Sequence, residues 1–259
     1  FIEKNGIKAT VLGGLIKPLL RCALRHPNQK LIFHNSDDRD LILAITHVPS
    51  SQTQLINGSG VNLSACPVLR ESKGVPIIVM ASRLLLDKGV REFVAAADLL
   101  RERDVLARFW LVGAPDLANP TTVTSRELAT WEASGVVEYL GYRNDVLSLY
   151  ARAHLIVLPA YREGLPKSLI EAAACGRAIV TTDVPGCRDA IEPGVTGLLV
   201  PARNAIALAD AIQSLIENPV RRRTMGAAGR TLAERKFGIQ QVVASHLQIY
   251  KQLSDRCEF

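Results

Sequence analysis

The chain has 259 residues, 48% hydrophobic and 22% charged, with 18 Gly and 13 Pro. That composition excludes a collagen, a disordered tail, a coiled coil and a small disulfide scaffold, and the length fits one large domain or two modest ones. The 31 Lys and Arg against 25 Asp and Glu leave a net charge of +6, which favours phosphate-bearing partners, while only 5% aromatic residues leave few rings for stacking bases, so no nucleic acid is expected.

The first 60 residues differ from the rest. Val11, Leu12, Leu15, Ile16, Leu19, Leu20, Ala23 and Leu24 fall at helical spacing, with Lys8, Lys17, Arg21 and Arg25 on the complementary side. This reads as a core-facing helix with a basic outer face, the other reading being a helix lying on a membrane surface. Lys30 to His34 reads as a short strand. Asn35-Ser36-Asp37-Asp38 starts a helix with acid in its first turn, Gln54 to Asn57 is a second strand, and Gly58-Ser59-Gly60 punctuates it like a linker. The expected boundaries are a remnant of an N-terminal domain over 1–60, a linker over 61–74, a main domain over 75–235 and a C-terminal helix over 236–259.

From Val75 the pattern becomes regular. Pro76–Ala81, Phe109–Val112, Val136–Leu140, Leu155–Leu158, Ala178–Thr181 and Gly197–Val200 are short continuous apolar runs, as strands covered on both faces require. Amphipathic stretches alternate with them: Val90–Arg103, Ser125–Ala133, Asp145–Ala153, Lys167–Cys175, Pro185–Ile191 and Ala205–Glu217. Two further helices, Val220–Arg235 and Ile239–Leu253, follow without a strand. The alternation predicts an α/β class, a doubly wound, Rossmann-like parallel sheet.

Five cysteines (Cys22, Cys66, Cys175, Cys187, Cys257) without a C-x-x-C pair read as reduced thiols of a cytosolic chain. No uncharged apolar run reaches the roughly 18 residues of a membrane span. The first residue is Phe1 and no signal-peptide pattern follows, so the chain reads as cut from something longer.

Ligands of an open parallel sheet bind beyond the carboxyl ends of its strands. After the first strand, Arg83 and Lys88 sit in the loop and helix start, placed to grip a diphosphate. No G-x-G-x-x-G follows a strand and no G-x-x-x-x-G-K-[ST] occurs, which argues against a dinucleotide oxidoreductase and a P-loop enzyme. The strongest signal follows Leu155 to Pro159. Pro166 suits the first helical position, Gly176 the stop, and the amides of Gly164, Leu165, Lys167 and Ser168 form a phosphate cradle bracketed by Glu163 and Glu171. The Glu-x7-Glu spacing alone carries little; its place in a strand, Gly-Pro turn and helix start gives it weight.

These residues carry a resemblance. Ser82-Arg83-Leu84 through Lys88-Gly89, Leu111-Val112-Gly113, Leu140-Gly141-Tyr142-Arg143-Asn144-Asp145, Glu163-Gly164-Leu165-Pro166 to Glu171-Ala172, Thr181 to Gly186 and Glu192 to Pro201 resemble, in this order, the C-terminal donor domain of family 4 glycosyltransferases with the GT-B architecture. Residues 2–60 resemble the last part of that family's N-terminal domain, and the likeness is greatest to bacterial enzymes that build capsule or O-antigen units on a polyprenyl diphosphate lipid. The resemblance implies a retaining transferase that takes a hexose or N-acetylhexosamine from a nucleotide diphosphate, with a uridine diphosphate sugar expected. It implies catalytic roles for Glu163, Arg83 and Lys88, and donor binding by Gly113, Tyr142, Arg143, Gly164, Leu165, Pro166 and Glu171. No metal or other cofactor is implied. Asp38 and Asp40 have Asp-x-Asp spacing but read as a solvated helix start. The expected partners are the nucleotide sugar, a lipid-linked saccharide acceptor and an anionic membrane surface, at the cytoplasmic face of the cell membrane.

The family's acceptor site and a histidine facing the scissile bond belong to a part of the N-terminal domain not matched here. His26, His34 and His47 sit in no recognisable catalytic context, and His154 and His246 read as strand-edge and helix residues. The chain is therefore expected to bind donor without turnover. The alternatives are a non-catalytic nucleotide-sugar-binding module and a GT-B epimerase or phosphorylase.

Overall fold

Six parallel strands, β3 (Ile77–Ala81), β4 (Arg108–Val112), β5 (Glu138–Gly141), β6 (Leu155–Leu158), β7 (Ala178–Thr182) and β8 (Gly197–Val200), form one sheet in the order β5-β4-β3-β6-β7-β8. The computed structural model describes residues 7–255. Phe1 and Cys257 lie outside the described residues, as do the side chains of Lys8, Val11, Leu12 and Leu15. Every residue of β3, β6 and β7 is buried, as strands sandwiched between helices must be. α3 (Val90–Glu102) packs on α7 (Ala205–Glu217), and α6 (Lys167–Ala174) packs on α8 (Pro219–Lys236). α4 (Ser125–Ala133) opens on a reciprocal capping box between Thr124 and Glu127, and α5 (Val146–Arg152) leads into β6. The expected doubly wound α/β sheet is what forms.

One expected helix does not form. Residues 185–191 make only a single tight turn at Arg188–Ala190. Here the Pro185 carbonyl accepts the Glu163 N–H at 3.2 Å and the Asp189 carboxylate accepts the Gly186 N–H at 3.0 Å, so the segment is bound to the loop after β6.

Before the sheet lies a small lobe. α1 (Ile7–Ala23) precedes β1 (Leu31–Phe33), which pairs in parallel with β2 (Thr53–Leu55) through α2 (Ser36–Ile45). Of the apolar stripe on α1 and just beyond it, Ile16, Leu20 and Leu24 are half-buried but Leu19 is exposed. Arg21 donates to the Ile45 carbonyl at 2.9 Å, so one cation of the basic face is used within the lobe. The last helix, α9 (Ile239–Ser254), returns to this lobe: Val242 and Ile249 form a small core with Ile56, against which Ile32 and Leu253 pack. The connecting stretch is held to the sheet domain by Arg222, which forks onto Glu71 with two bonds of 2.9 Å, and by Arg230, which reaches the Cys66 and Ala174 carbonyls.

Candidate functional site

The chain builds β3, β4 and β5 outward in one direction and then returns to place β6 on the other side of β3. The loops after β3 and β6 therefore diverge, leaving a crevice at the carboxyl edge. Two adjoining cavities lie there, of about 640 and 210 Å³, and they share Ala81, Ser82, Arg83, Lys167 and Ser168.

The larger cavity brings together Arg83, Gly113, Tyr142 and Arg143 from three separate loops and Glu171 from α6. Gly113 has φ +134°, and a Cβ there would overlap the Ser82 carbonyl, so only glycine lets these two loops close on each other. Tyr142 is 73% exposed at the rim, and Arg143 is paired with Asp145 at 2.7 Å. Glu171 is largely buried, with Lys167 at 3.5 Å; burial pushes its carboxyl above the usual range, and Lys167 opposes that shift.

The smaller cavity holds Lys88, Glu163 and Pro166 beside Arg83. Lys88 and Glu163 form an ion pair whose side chains are only 20% and 15% exposed. Arg83 is paired at 3.0 Å with Asp116. Both cations expected at a diphosphate thus hold carboxylates in the free chain. None of the amides of Gly164, Leu165, Lys167 and Ser168 donates to an acceptor among the described residues, as an anion cradle requires. Pro166 differs from its expected place: it is the cap before the helix, which starts at Lys167. Proline there costs no helical hydrogen bond and leaves the first amides free.

Gly164 and Leu165 line neither cavity. The Leu165 side chain packs where a Gly58 Cβ would stand (2.8 Å), and the Gly164 carbonyl accepts from Asn35 at 2.7 Å. Asp38, expected to be solvated, pairs with Arg162, and Asp37 pairs with Arg188 at 3.3 Å. These contacts bind the small lobe to the loop after β6 and to the turn after β7. Gly186, with φ +80°, lies so close to the Glu163 carbonyl that a Cβ would overlap it. Tyr161 braces the same loop on α3, donating to Glu92 at 2.6 Å; burial and that carboxylate push its phenol up to about 12.

Sequence reasoning missed Asp116 and Tyr150, and it set His34 aside as having no catalytic context. Asp116 was findable, since it follows a strand end. Tyr150 lines the larger cavity fully buried, its hydroxyl near Ser168 but without a well-formed hydrogen bond among the described residues, and burial with Glu171 nearby pushes its pKa far up. His34 is exposed, its Cδ2 3.8 Å from where a Gly164 Cβ would stand. His154, in contrast, is structural: Nδ1 accepts from the Ile77 amide at 2.9 Å, Nε2 donates to the Ser72 carbonyl at 3.0 Å, and burial lowers its pKa.

The sequence pattern of the glycosyl transferases group 1 family matches residues 75–218, the sheet domain that carries both cavities. The chain belongs to this family. As a group 1 glycosyltransferase it is 33% identical, over 231 residues, to N,N'-diacetylbacillosaminyl-diphospho-undecaprenol alpha-1,3-N-acetylgalactosaminyltransferase of Campylobacter jejuni, covering 84% of this chain and 59% of that protein. It is 27% identical over 164 residues to the capsular polysaccharide biosynthesis glycosyltransferase CapM of Staphylococcus aureus, covering 63% of this chain and 43% of CapM. Among solved structures, sucrose-phosphate synthase from Thermosynechococcus elongatus superposes with TM-score 0.81 at 25% identity over 94% of this chain and 62% of that one. Anabaena Alr3699/HepE, crystallised in complex with UDP, superposes with TM-score 0.77 at 20% identity over 92% of this chain and 68% of that one, a likeness of fold. The glycosyltransferase chain thus has the GT-B type of α/β fold and spans about three fifths or less of the curated relatives named here.

Proposed function

We propose that the cleft between β3 and β6 holds a nucleotide diphosphate sugar, a UDP-sugar, and that the chain serves its transfer with retention to a lipid-linked saccharide in surface polysaccharide synthesis. The observation that carries the donor reading is the cleft itself: two joined cavities, one with a largely buried carboxylate and an exposed tyrosine, the other with a Lys–Glu pair, meeting at Arg83 and at Lys167 and Ser168, whose amides donate to no acceptor among the described residues. A base and ribose suit the larger cavity, where Tyr142 and Arg143 flank the base and Glu171 accepts from the ribose hydroxyls. The diphosphate sits at the junction on the helix start. Arg83 and Lys88 are the cations for it, and their present carboxylate partners keep them from repelling each other until the phosphates arrive. As the sugar–phosphate bond breaks, negative charge grows on the diphosphate. These fixed cations and amides stabilise it there, so no divalent metal is required. Glu163 holds the sugar's hydroxyls.

The acceptor reading leans on the Campylobacter jejuni relative, whose name carries a diphospho-undecaprenol. We place the protein at the cytoplasmic face of a membrane, held by the Lys17, Arg21 and Arg25 side of the first helical segment. Among the described residues no helix is long and apolar enough to cross a bilayer. Cosedimentation with anionic vesicles at low salt, lost at 1 M where screening shortens to about 3 Å, tests that docking.

Calorimetric titration of the chain with UDP and with UDP-sugars tests the donor reading. Excess chelator leaves both affinities unchanged; a tenfold loss, about 1.4 kcal/mol, would overturn the metal-free account. Glu163→Ala weakens the sugar conjugate alone. Equal loss of UDP would move Glu163 away from the sugar. A non-catalytic module is separated from an enzyme by assaying transfer in the full-length protein.

A further inference from the structure

We infer that His34 is a specificity-determining residue of this cleft: from the small lobe, its Nε2 accepts a hydrogen bond from a hydroxyl of the donor's sugar. The inference rests on the donor reading above and adds a residue from outside the sheet domain.

His34 is the first residue after β1. Its Nδ1 lies 3.0 Å from the Ile56 carbonyl oxygen, which can only accept, so Nδ1 carries the hydrogen. In the neutral ring Nε2 is then a bare acceptor. Among the described residues Nε2 has no hydrogen-bond partner, and the side chain is exposed. The ring edge that carries Nε2 faces the loop after β6, since Cδ2, the carbon bonded to Nε2, is the atom 3.8 Å from the Gly164 Cβ position. Glycine at 164 leaves that gap open.

The ring is held at this place from both ends. Its own Nδ1 is tied to β2's exit, and the next residue, Asn35, is buried with its amide on the Gly164 carbonyl and on Asp38. Asp38 pairs with Arg162 of the same loop, and Asp37 pairs with Arg188 of the turn after β7, which is itself bonded to that loop through Pro185 and Glu163. Glu163, one residue from Gly164, is held by Lys88. A sugar beside Glu163 therefore meets one acceptor fixed by the sheet domain and a second fixed by the small lobe. A neutral imidazole suits this position better than a carboxylate, because it accepts from a hydroxyl without repelling the adjoining diphosphate. The competing account gives His34 only the bond to Ile56, a local fastening of the two-stranded sheet.

The test titrates UDP and a panel of UDP-hexoses and UDP-N-acetylhexosamines into the wild-type chain, takes the conjugate that binds best, and repeats both titrations on His34→Phe and His34→Gln. The phenylalanine variant should lose about threefold to tenfold in affinity for the conjugate, the range of a single hydrogen bond, while its UDP affinity stays within twofold. That unchanged UDP affinity also shows the variant to be folded. Glutamine, whose carbonyl accepts, should recover part of the loss. Unchanged conjugate affinity in the phenylalanine variant overturns the inference, and so does equal loss for UDP and conjugate. If the wild type binds UDP but gains nothing from any attached sugar, the role of His34 falls while the nucleotide site stands. If it binds no nucleotide at all, the donor reading falls first and this inference with it.

Discussion

The two ends of the cleft are built by different means. The larger cavity is lined wholly by the sheet domain, by residues at strand ends and in the helices that follow them. The smaller one is lined by the same domain, but the loop that shapes it is held from outside by Asn35 and Asp38 of the small lobe, and from within by the Gly186 turn. One end is therefore a property of the sheet. The other depends on how the lobe sits against it, so perturbations of the two should separate cleanly in binding and stability.

The largest separation is expected from Glu171→Ala. It removes a buried acceptor from the larger cavity, and a hydrogen bond to a charged group is worth about 1.5–3 kcal/mol. UDP and UDP-sugar should weaken alike, by about tenfold or more, in calorimetry. A loss confined to the sugar conjugate would show that the two ends have been assigned the wrong way round.

Gly186→Ala strikes the other end. A left-handed backbone costs a non-glycine residue roughly 1–2 kcal/mol, and the overlap with the Glu163 carbonyl adds to this. A lower Tm and weaker conjugate binding are expected, with UDP affinity retained. Asn35→Ala should be milder, about 1–2 kcal/mol, because it removes a helix cap as well as the bond to Gly164. Its mark is a fall in Tm with conjugate affinity reduced more than UDP affinity; equal reduction would mean the lobe steadies the whole cleft.

The smallest effect is a matter of pH. Burial raises the Glu171 pKa above its unfolded value, so the folded chain binds that proton more tightly than the unfolded chain. Stability from this group is greatest at low pH and is lost as pH rises through the unfolded value, near 4.3, and past the raised one. Glu171→Gln should therefore have a Tm above wild type at pH 7, the difference fading in acid, while its affinity for UDP falls. A variant less stable than wild type at pH 7 would show that the Lys167 pair outweighs the desolvation.

Much of this was legible from residue order. Strands such as Ile77–Ala81 are short, continuous and apolar, and helices such as Val90–Glu102 carry an apolar face, so burial dictates both from local sequence. The cleft residues Arg83, Lys88, Glu163 and Glu171 follow because ligands of such a sheet bind at its carboxyl edge, and a strand and a helix fix where that edge is. What sequence could not provide is which loops touch. The failed helix at 185–191 gave way to a hydrogen bond and a close backbone approach to a loop more than twenty residues away, and the pairing of Lys88 with Glu163 spans 75 positions. His34 looked like an idle histidine because its neighbour Gly164 is 130 residues distant in the chain. Local sequence determines an element when burying its own side chains and pairing its own backbone is sufficient. Where a polar group must find its partner across the fold, only the packed structure decides, because that choice is made by geometry between elements and not by the residues beside it.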